Sequence, residues 1–328
     1  MQKLPERTVV VLGMGGTIAG RATSADDNLG YVAGTVGVGA LVAAASPDAT
    51  AVVESEQVAQ IDSKDMDFGL WHRLAGRVAH HLARAEVAGV VVTHGTDTLE
   101  ETAYFLSRVV VAAKPVVLTA AMRPATSRQA DGPQNLADAI AVAARAGHAG
   151  VVVAFAGTLH SAHDVRKVHP YRLDAFSSGD AGPLARIEEG SVRALRDWPM
   201  EPVLAPGRLP VDASGWPWVE IVTSAAGADG RVVTVLVDAG VAGIVVAGTG
   251  NGSLHRHLEA ALADAEGRGV AILRSTRCLD GTIVEASPRR FASAGGLTPV
   301  KARIELMLRL LSAAKDPGAG RGVRRRRA

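Results

Sequence analysis

Two hydroxyl-bearing turns carry the chemistry this sequence can offer. The apolar run 9–12 leads into Gly13-Met14-Gly15-Gly16-Thr17-Ile18-Ala19-Gly20. The run 90–92 leads into Thr93-His94-Gly95-Thr96-Asp97-Thr98-Leu99-Glu100-Glu101-Thr102-Ala103. In an open parallel sheet, ligands sit at the carboxyl ends of the strands. With both runs as strands of such a sheet, two hydroxyls, an aspartate and a cluster of glycines reach the same rim. A threonine hydroxyl is a poor nucleophile until a base or acceptor stands beside it. The combination suits attack on a carbonyl by a threonine oxygen.

The surrounding pattern supplies the sheet. Strand-like runs at about 8–13, 51–58, 89–93, 115–119 and 150–155 alternate with helical patterns at about 36–45, 66–85, 98–112 and 134–147, which predicts an α/β fold with a mostly parallel sheet. Asp97 is placed to cap the helix that follows it, with Glu100 and Glu101 at the positive end of the dipole. The helix after Pro133 is expected to end at Gly147. His80 and His81 are read as a solvated helix face.

Past residue 195 a proline-rich stretch, 196–217, reads as a linker. A second, smaller α/β unit follows at 218–315, with strands near 218–223, 243–247 and 270–274 and helices near 229–239, 254–267 and 298–314. The expected domains are thus 1–195, carrying the catalytic turns, and 218–315. Residues 316–328 are an Arg-rich tail read as disordered.

Composition removes several classes of function. The 328 residues are 48% hydrophobic, enough for a large core, and no run approaches the roughly 18 apolar residues of a membrane span. The net charge of +2 comes from the tail: without its five arginines, residues 1–320 hold 30 basic and 33 acidic side chains. That body offers no nucleic-acid surface. A single cysteine, Cys278, excludes a disulfide framework. Residues 1–7 lack a basic-then-apolar export pattern, so the chain is read as cytoplasmic, although a trimmed exported precursor would look the same. No metal is expected, because the histidines at 94, 160, 163 and 169 lack ligand spacing. The glycine turn fits neither nucleotide loop. Ile18 stands where the dinucleotide fingerprint needs a small residue, and Arg21-Ala22 breaks the Walker pattern. No cofactor is implied.

Gly15-Gly16-Thr17-Ile18-Ala19 together with residues 93–102 resembles the bacterial-type L-asparaginase (asparaginase/glutaminase) family. The resemblance continues through Gly30-Tyr31, Asp62-Ser63, Ala121-Met122-Arg123-Pro124, Asp131-Gly132, Asp164-Val165-Arg166-Lys167, Gly248-Thr249-Gly250-Asn251-Gly252 and Leu297-Thr298-Pro299, covering about 8–315 in one order. It implies hydrolysis of L-asparagine to L-aspartate and ammonia through a threonine nucleophile and an acyl-enzyme, with room for a lower L-glutaminase activity.

The same resemblance assigns roles. Thr17 matches the nucleophile and Tyr31 a lid tyrosine bonded to it. Thr96, Asp97 and Lys167 match a second cluster that activates Thr96 or a water, Asp97 also gripping the substrate ammonium. Ser63 matches the carboxylate site. Ser253 and Glu285 match groups offered to a neighbouring subunit, which implies a homotetramer built as a dimer of dimers. One departure stands out: Lys64 replaces a glutamine or glutamate facing the substrate, and it is expected to turn toward Asp65 and weaken binding. Two other classes compete. An amidotransferase subunit would call for an added amino-terminal domain and a basic RNA surface. A non-catalytic binding module would tolerate loss of Thr17 or Lys167.

Overall fold

The computed structural model describes residues 7–45, 52–145, 147–199, 202–204, 209–286 and 289–314. The chain divides into two compact units, Met1–Val203 and Leu204–Ala328. The Arg-rich tail and part of the stretch 196–217 lie outside the described residues.

The first unit is built on one eight-stranded sheet. Its strands are β1 (Thr8–Gly15), β2 (Val52–Ile61), β3 (Val87–Thr93), β4 (Pro115–Thr119), β5 (Gly150–Phe155) and β6 (Thr158–Ser161). After a two-residue ribbon of β7 (Arg166–Lys167) and β8 (Phe176–Ser177) come β9 (Ala185–Glu188) and β10 (Ser191–Ala194). The order is β10-β9-β6-β5-β4-β3-β1-β2, parallel from β5 to β2 and antiparallel at the β6–β10 end. β1 sits between β2 and β3 and is buried along its whole length. Such double-sided burial is what a continuous valine run encodes.

Four helices cover the sheet: α1 (Val38–Ala45), α2 (Phe68–Leu82), α3 (Leu99–Val109) and α4 (Gly132–Ala143). Val9, Val11, Val91, Val117 and Val152 share a core cluster with Val38 and Leu41 of α1 and Leu136, Ala139 and Ile140 of α4. Alternate strand residues such as Val10, Val90 and Val116 point to the opposite face, where α2 packs on β3 and α3 on β5.

Three expectations need correction. β6, β9 and β10 were not foreseen, since they close through two-residue hairpin turns, Ala156-Gly157 and Glu189-Gly190, with positive φ at all four residues. Asn-Gly or Asp-Gly would have signalled such turns; Ala and Glu rarely adopt that backbone. α4 ends at Ala143, four residues before Gly147. His81 is buried, because it continues the Trp71, Leu74, Val78 face of α2, and its Nε2 meets Glu56 at 2.8 Å.

The second unit has a four-stranded parallel sheet, β11 (Val219–Thr223), β12 (Gly243–Gly248), β13 (Ala271–Thr276) and β14 (Ala292–Ser293), in that order. Helices α5 (Arg231–Asp238) and α6 (Arg256–Gly267) share a core with Val222, Ile244, Val246 and Ile272. α7 (Pro299–Ala314) packs against β11, β12 and β13, burying Ile304, Met307, Leu308 and Leu311.

Candidate active site

The rim of the first sheet is assembled by close backbone contact. Gly16, at the end of β1, has φ +80°, and a methyl group there would collide with Cα of Gly95 in the turn after β3. A side chain on Gly95 would in turn strike Ser63 Oγ, just after β2. Glycine at these two positions lets three strand ends converge. Among the described residues no helix is long and apolar enough to cross a membrane, and no group of three His, Cys, Asp or Glu side chains could hold a metal ion.

Thr17 opens a short 3-10 turn, 17–19, and is 7% exposed. Its Oγ1 lies 2.7 Å from the Tyr31 hydroxyl. Tyr31 is carried by the loop after Gly20, which closes through reciprocal Arg21–Val32 backbone bonds of 3.0 Å. Gly34 N donates to Gly16 O at 3.1 Å. Asp27 accepts the amides of Leu29 and Gly30, which holds its carboxyl below the usual carboxylate range. The loop is latched to residues 124–128: Ala22 N donates to Thr126 Oγ1 at 2.9 Å and Ser127 Oγ to Asn28 Oδ1 at 2.7 Å.

The second cluster sits on the turn after β3. Lys167 Nζ donates to Thr96 Oγ1 at 3.0 Å and pairs with Asp97 Oδ1 at 2.6 Å. Thr96 is buried, whereas the Asp97 side chain is 52% exposed and open to a ligand. Ser63 Oγ accepts the Asp97 amide at 3.2 Å, and Thr98 Oγ1 donates to Ser63 O at 2.8 Å. Asp97 does not cap α3. The N-cap residue is Thr98, with no side-chain cap bond, since Asp97 is drawn to Lys167 instead.

Beneath this turn runs a buried polar chain that joins His94 and Thr102 of the second motif to Trp71, outside it. The Trp71 indole N–H donates to Thr102 Oγ1 at 3.0 Å, Thr102 Oγ1 lies 3.0 Å from His94 Nε2, and His94 Nδ1 lies 2.8 Å from Gly95 O. An indole can only donate and a carbonyl can only accept, so Nδ1 carries the proton and Nε2 takes the threonine hydrogen. Burial lowers the His94 pKa to about 4, outweighing the bond to Gly95. The neutral ring thereby braces the Thr96–Asp97 turn.

Lys64 departs from expectation. It pairs with Asp62 at 2.6 Å rather than Asp65, and its side chain is 64% exposed. Asp62 also accepts the Lys64 amide at 3.3 Å as cap of the 63–65 turn. Backbone and ammonium are therefore held by one carboxylate.

In the second unit, Ser253 is exposed on the 249–253 turn, closed by mutual Thr249–Ser253 backbone bonds of 2.8 Å. Glu285 pairs with Arg274, whose side chain is only 2% exposed. Asn251 joins the two segments by bonding both N and O of Val284, each at 2.7 Å. Sequence reasoning quoted Asn251 within a motif without giving it a part, and missed Arg274. The arginine inside a strand otherwise apolar at 271–273 was the available signal.

Comparison with known proteins bears on the chain as a whole. Residues 8–200 match the family model described as Asparaginase, N-terminal, and residues 218–321 match the Glutaminase/Asparaginase C-terminal domain. The chain belongs to the asparaginase family. Within that family it is 40% identical to L-asparaginase 2 of Escherichia coli, over 94% of this chain and 90% of that protein. It is 36% identical to the glutaminase-asparaginase of Pseudomonas fluorescens, over 92% and 86%. The solved structure of a probable cytoplasmic L-asparaginase from Campylobacter jejuni superposes with a TM-score of 0.87 at 37% identity, covering 93% of this chain and 95% of that one. The resemblance read from the two threonine turns is thus a family membership that extends through both units of this asparaginase.

Proposed function

We propose that the protein hydrolyses L-asparagine to L-aspartate and ammonia, with Thr17 as nucleophile. The observation that carries this reading is the contact of Gly16 on Gly95, which joins two turns whose threonines each have a polar partner: Thr17 with Tyr31, Thr96 with Lys167.

The substrate is a zwitterion with a side-chain amide. Asp97, half exposed, accepts the α-ammonium, and Ser63 with nearby amides takes the α-carboxylate. Thr17 Oγ1 then bonds to the amide carbon, its proton passing toward Tyr31. The tetrahedral adduct breaks its C–N bond, and the nitrogen leaves as ammonia with that proton, giving an aspartyl ester on Thr17. Water adds to the ester, the C–Oγ bond breaks, and aspartate and the free hydroxyl are restored. Lys167 holds Thr96 by donating to its oxygen, so the Thr96 hydrogen is available to the substrate or to the attacking water. The latched loop carrying Tyr31 keeps bulk water from the ester and strengthens the polar contacts around it.

The catalytic groups are assigned to domain 1–195. Ser253 and Glu285 of domain 218–315, joined by the linker 196–217, are assigned to a neighbouring subunit's site in a homotetramer built as a dimer of dimers. Glutaminase activity is expected to be lower, since one extra methylene shifts binding by about 1–3 kcal/mol. A cytoplasmic location accords with the description of the Campylobacter relative. Ammonia release from L-asparagine and L-glutamine, by the intact protein and by Thr17→Ala, tests the proposal. Release from asparagine that vanishes in the variant supports it, and a variant as active as the parent removes Thr17 from the chemistry.

A further inference from the structure

We propose that Glu100 is a positioning residue for Lys167, fixing the lysine's backbone while the Thr96–Asp97 turn holds its ammonium. The proposal rests on the reading of Lys167 as part of the active site. Lys167 lies in β7, a strand of two residues paired only with the equally short β8 in the described sheets. A ribbon of that size offers little regular backbone pairing to hold a catalytic side chain in place.

The fixation comes from elsewhere. The Lys167 amide donates to Glu100 Oε2 at 3.0 Å, a contact between residues 67 apart in sequence. Glu100 stands in the first turn of α3, three residues beyond Asp97, where unpaired amides and the helix dipole favour a carboxylate. Segment 96–100 therefore grips Lys167 at both ends, at Nζ through Thr96 and Asp97 and at the backbone through Glu100. A lysine stem free at one end would sample several rotamers, and anchoring both ends removes that freedom.

Behind the ribbon, Asp164 receives Ser161 Oγ at 2.7 Å, His163 Nδ1 at 2.9 Å and Arg196. Burial pushes the Asp164 carboxyl up, but these bonds outweigh it and hold it well below the usual carboxylate range. The turn entering β7 is firm, Val168 N donates to Ala175 O at 2.8 Å just beyond it, and Glu100 adds a constraint at the Lys167 amide itself.

The test is steady-state kinetics on L-asparagine, with thermal melts, for Glu100→Gln, Glu100→Leu, Glu100→Ala, Lys167→Met and the double variant Glu100→Leu/Lys167→Met. Glutamine keeps an oxygen acceptor; leucine and alanine remove it, with and without the side-chain volume. Because a displacement near 1 Å can cost about 100-fold in rate, Leu or Ala is expected to lower kcat about 10- to 100-fold with KM changed less than about threefold. Gln should keep kcat within about fivefold, and Leu should add nothing once Lys167 is Met. Undiminished kcat in Leu and Ala, a loss in Gln equal to that in Leu, or a Leu effect that persists beside Lys167→Met would each overturn the proposal. If Lys167→Met itself has wild-type kcat, the failure is that of the underlying reading of Lys167, whatever the Glu100 variants do.

Discussion

At the scale of single residues, the site depends on hydroxyls whose partners are specified. Tyr31→Phe removes the group 2.7 Å from Thr17 Oγ1 while keeping the ring. It is expected to lower kcat about 100-fold, in the range of a lost proton-transfer partner, and wild-type turnover on L-asparagine would separate Tyr31 from the reaction. His94 gives a pH prediction. Its pKa is about 4 in the folded protein against an ordinary 6.5. Between those values the unfolded chain binds a proton that the folded one refuses. This contribution to stability is complete above pH 6.5 and is lost as pH falls toward 4, amounting to on the order of 3 kcal/mol. Melting temperature followed from pH 7 to 4.5 should fall, and the slope should be shallower in His94→Asn. The two threonine turns drew attention to themselves by their composition, whereas Lys167 was named only through the family resemblance; the structure brings its Nζ to Thr96 and Asp97. Lys64 was misread because sequence proximity does not choose between Asp62 and Asp65. The 63–65 turn does, by placing Asp62 at its cap.

Among the elements, the parallel strands were legible because buried valine runs leave few alternatives, whereas β6, β9 and β10 were hidden behind Ala156-Gly157 and Glu189-Gly190 turns. His81 shows a signal present but overlooked, since it continues the apolar face of α2 at helical spacing. What the strand runs do not disclose is how near their ends come. That distance is set by Gly16 and Gly95. Gly16→Ala would place a methyl group against Gly95 at a positive φ, a combination expected to cost about 3 kcal/mol or more. A thermal melt unchanged by Gly16→Ala would mean that the two turns are not in contact.

For the whole molecule, the second unit holds Ser253 and Glu285 together through Asn251, Val284 and buried Arg274. Glu285 neutralises a guanidinium out of reach of water, and removing such a partner typically costs about 3–5 kcal/mol, less where the carboxylate is partly exposed as here. Glu285→Gln is therefore the gentler probe, expected to raise KM for L-asparagine about 10-fold. Mixed assembly tests more sharply the proposal that Glu285 completes a neighbouring subunit's site. Thr17→Ala and Glu285→Gln subunits, each impaired alone, should regain activity when unfolded and refolded together, because one supplies Thr17 and the other Glu285. Activity no higher than the sum of the separate variants would mean that each subunit completes its own site.

The most direct test of Thr17 as nucleophile is acid quenching during turnover of L-asparagine, followed by proteolysis and mass spectrometry of the peptides containing Thr17 and Thr96. The expected result is an aspartyl ester on Thr17, absent from Thr17→Ala. An ester on Thr96 with Thr17 unmodified would contradict it.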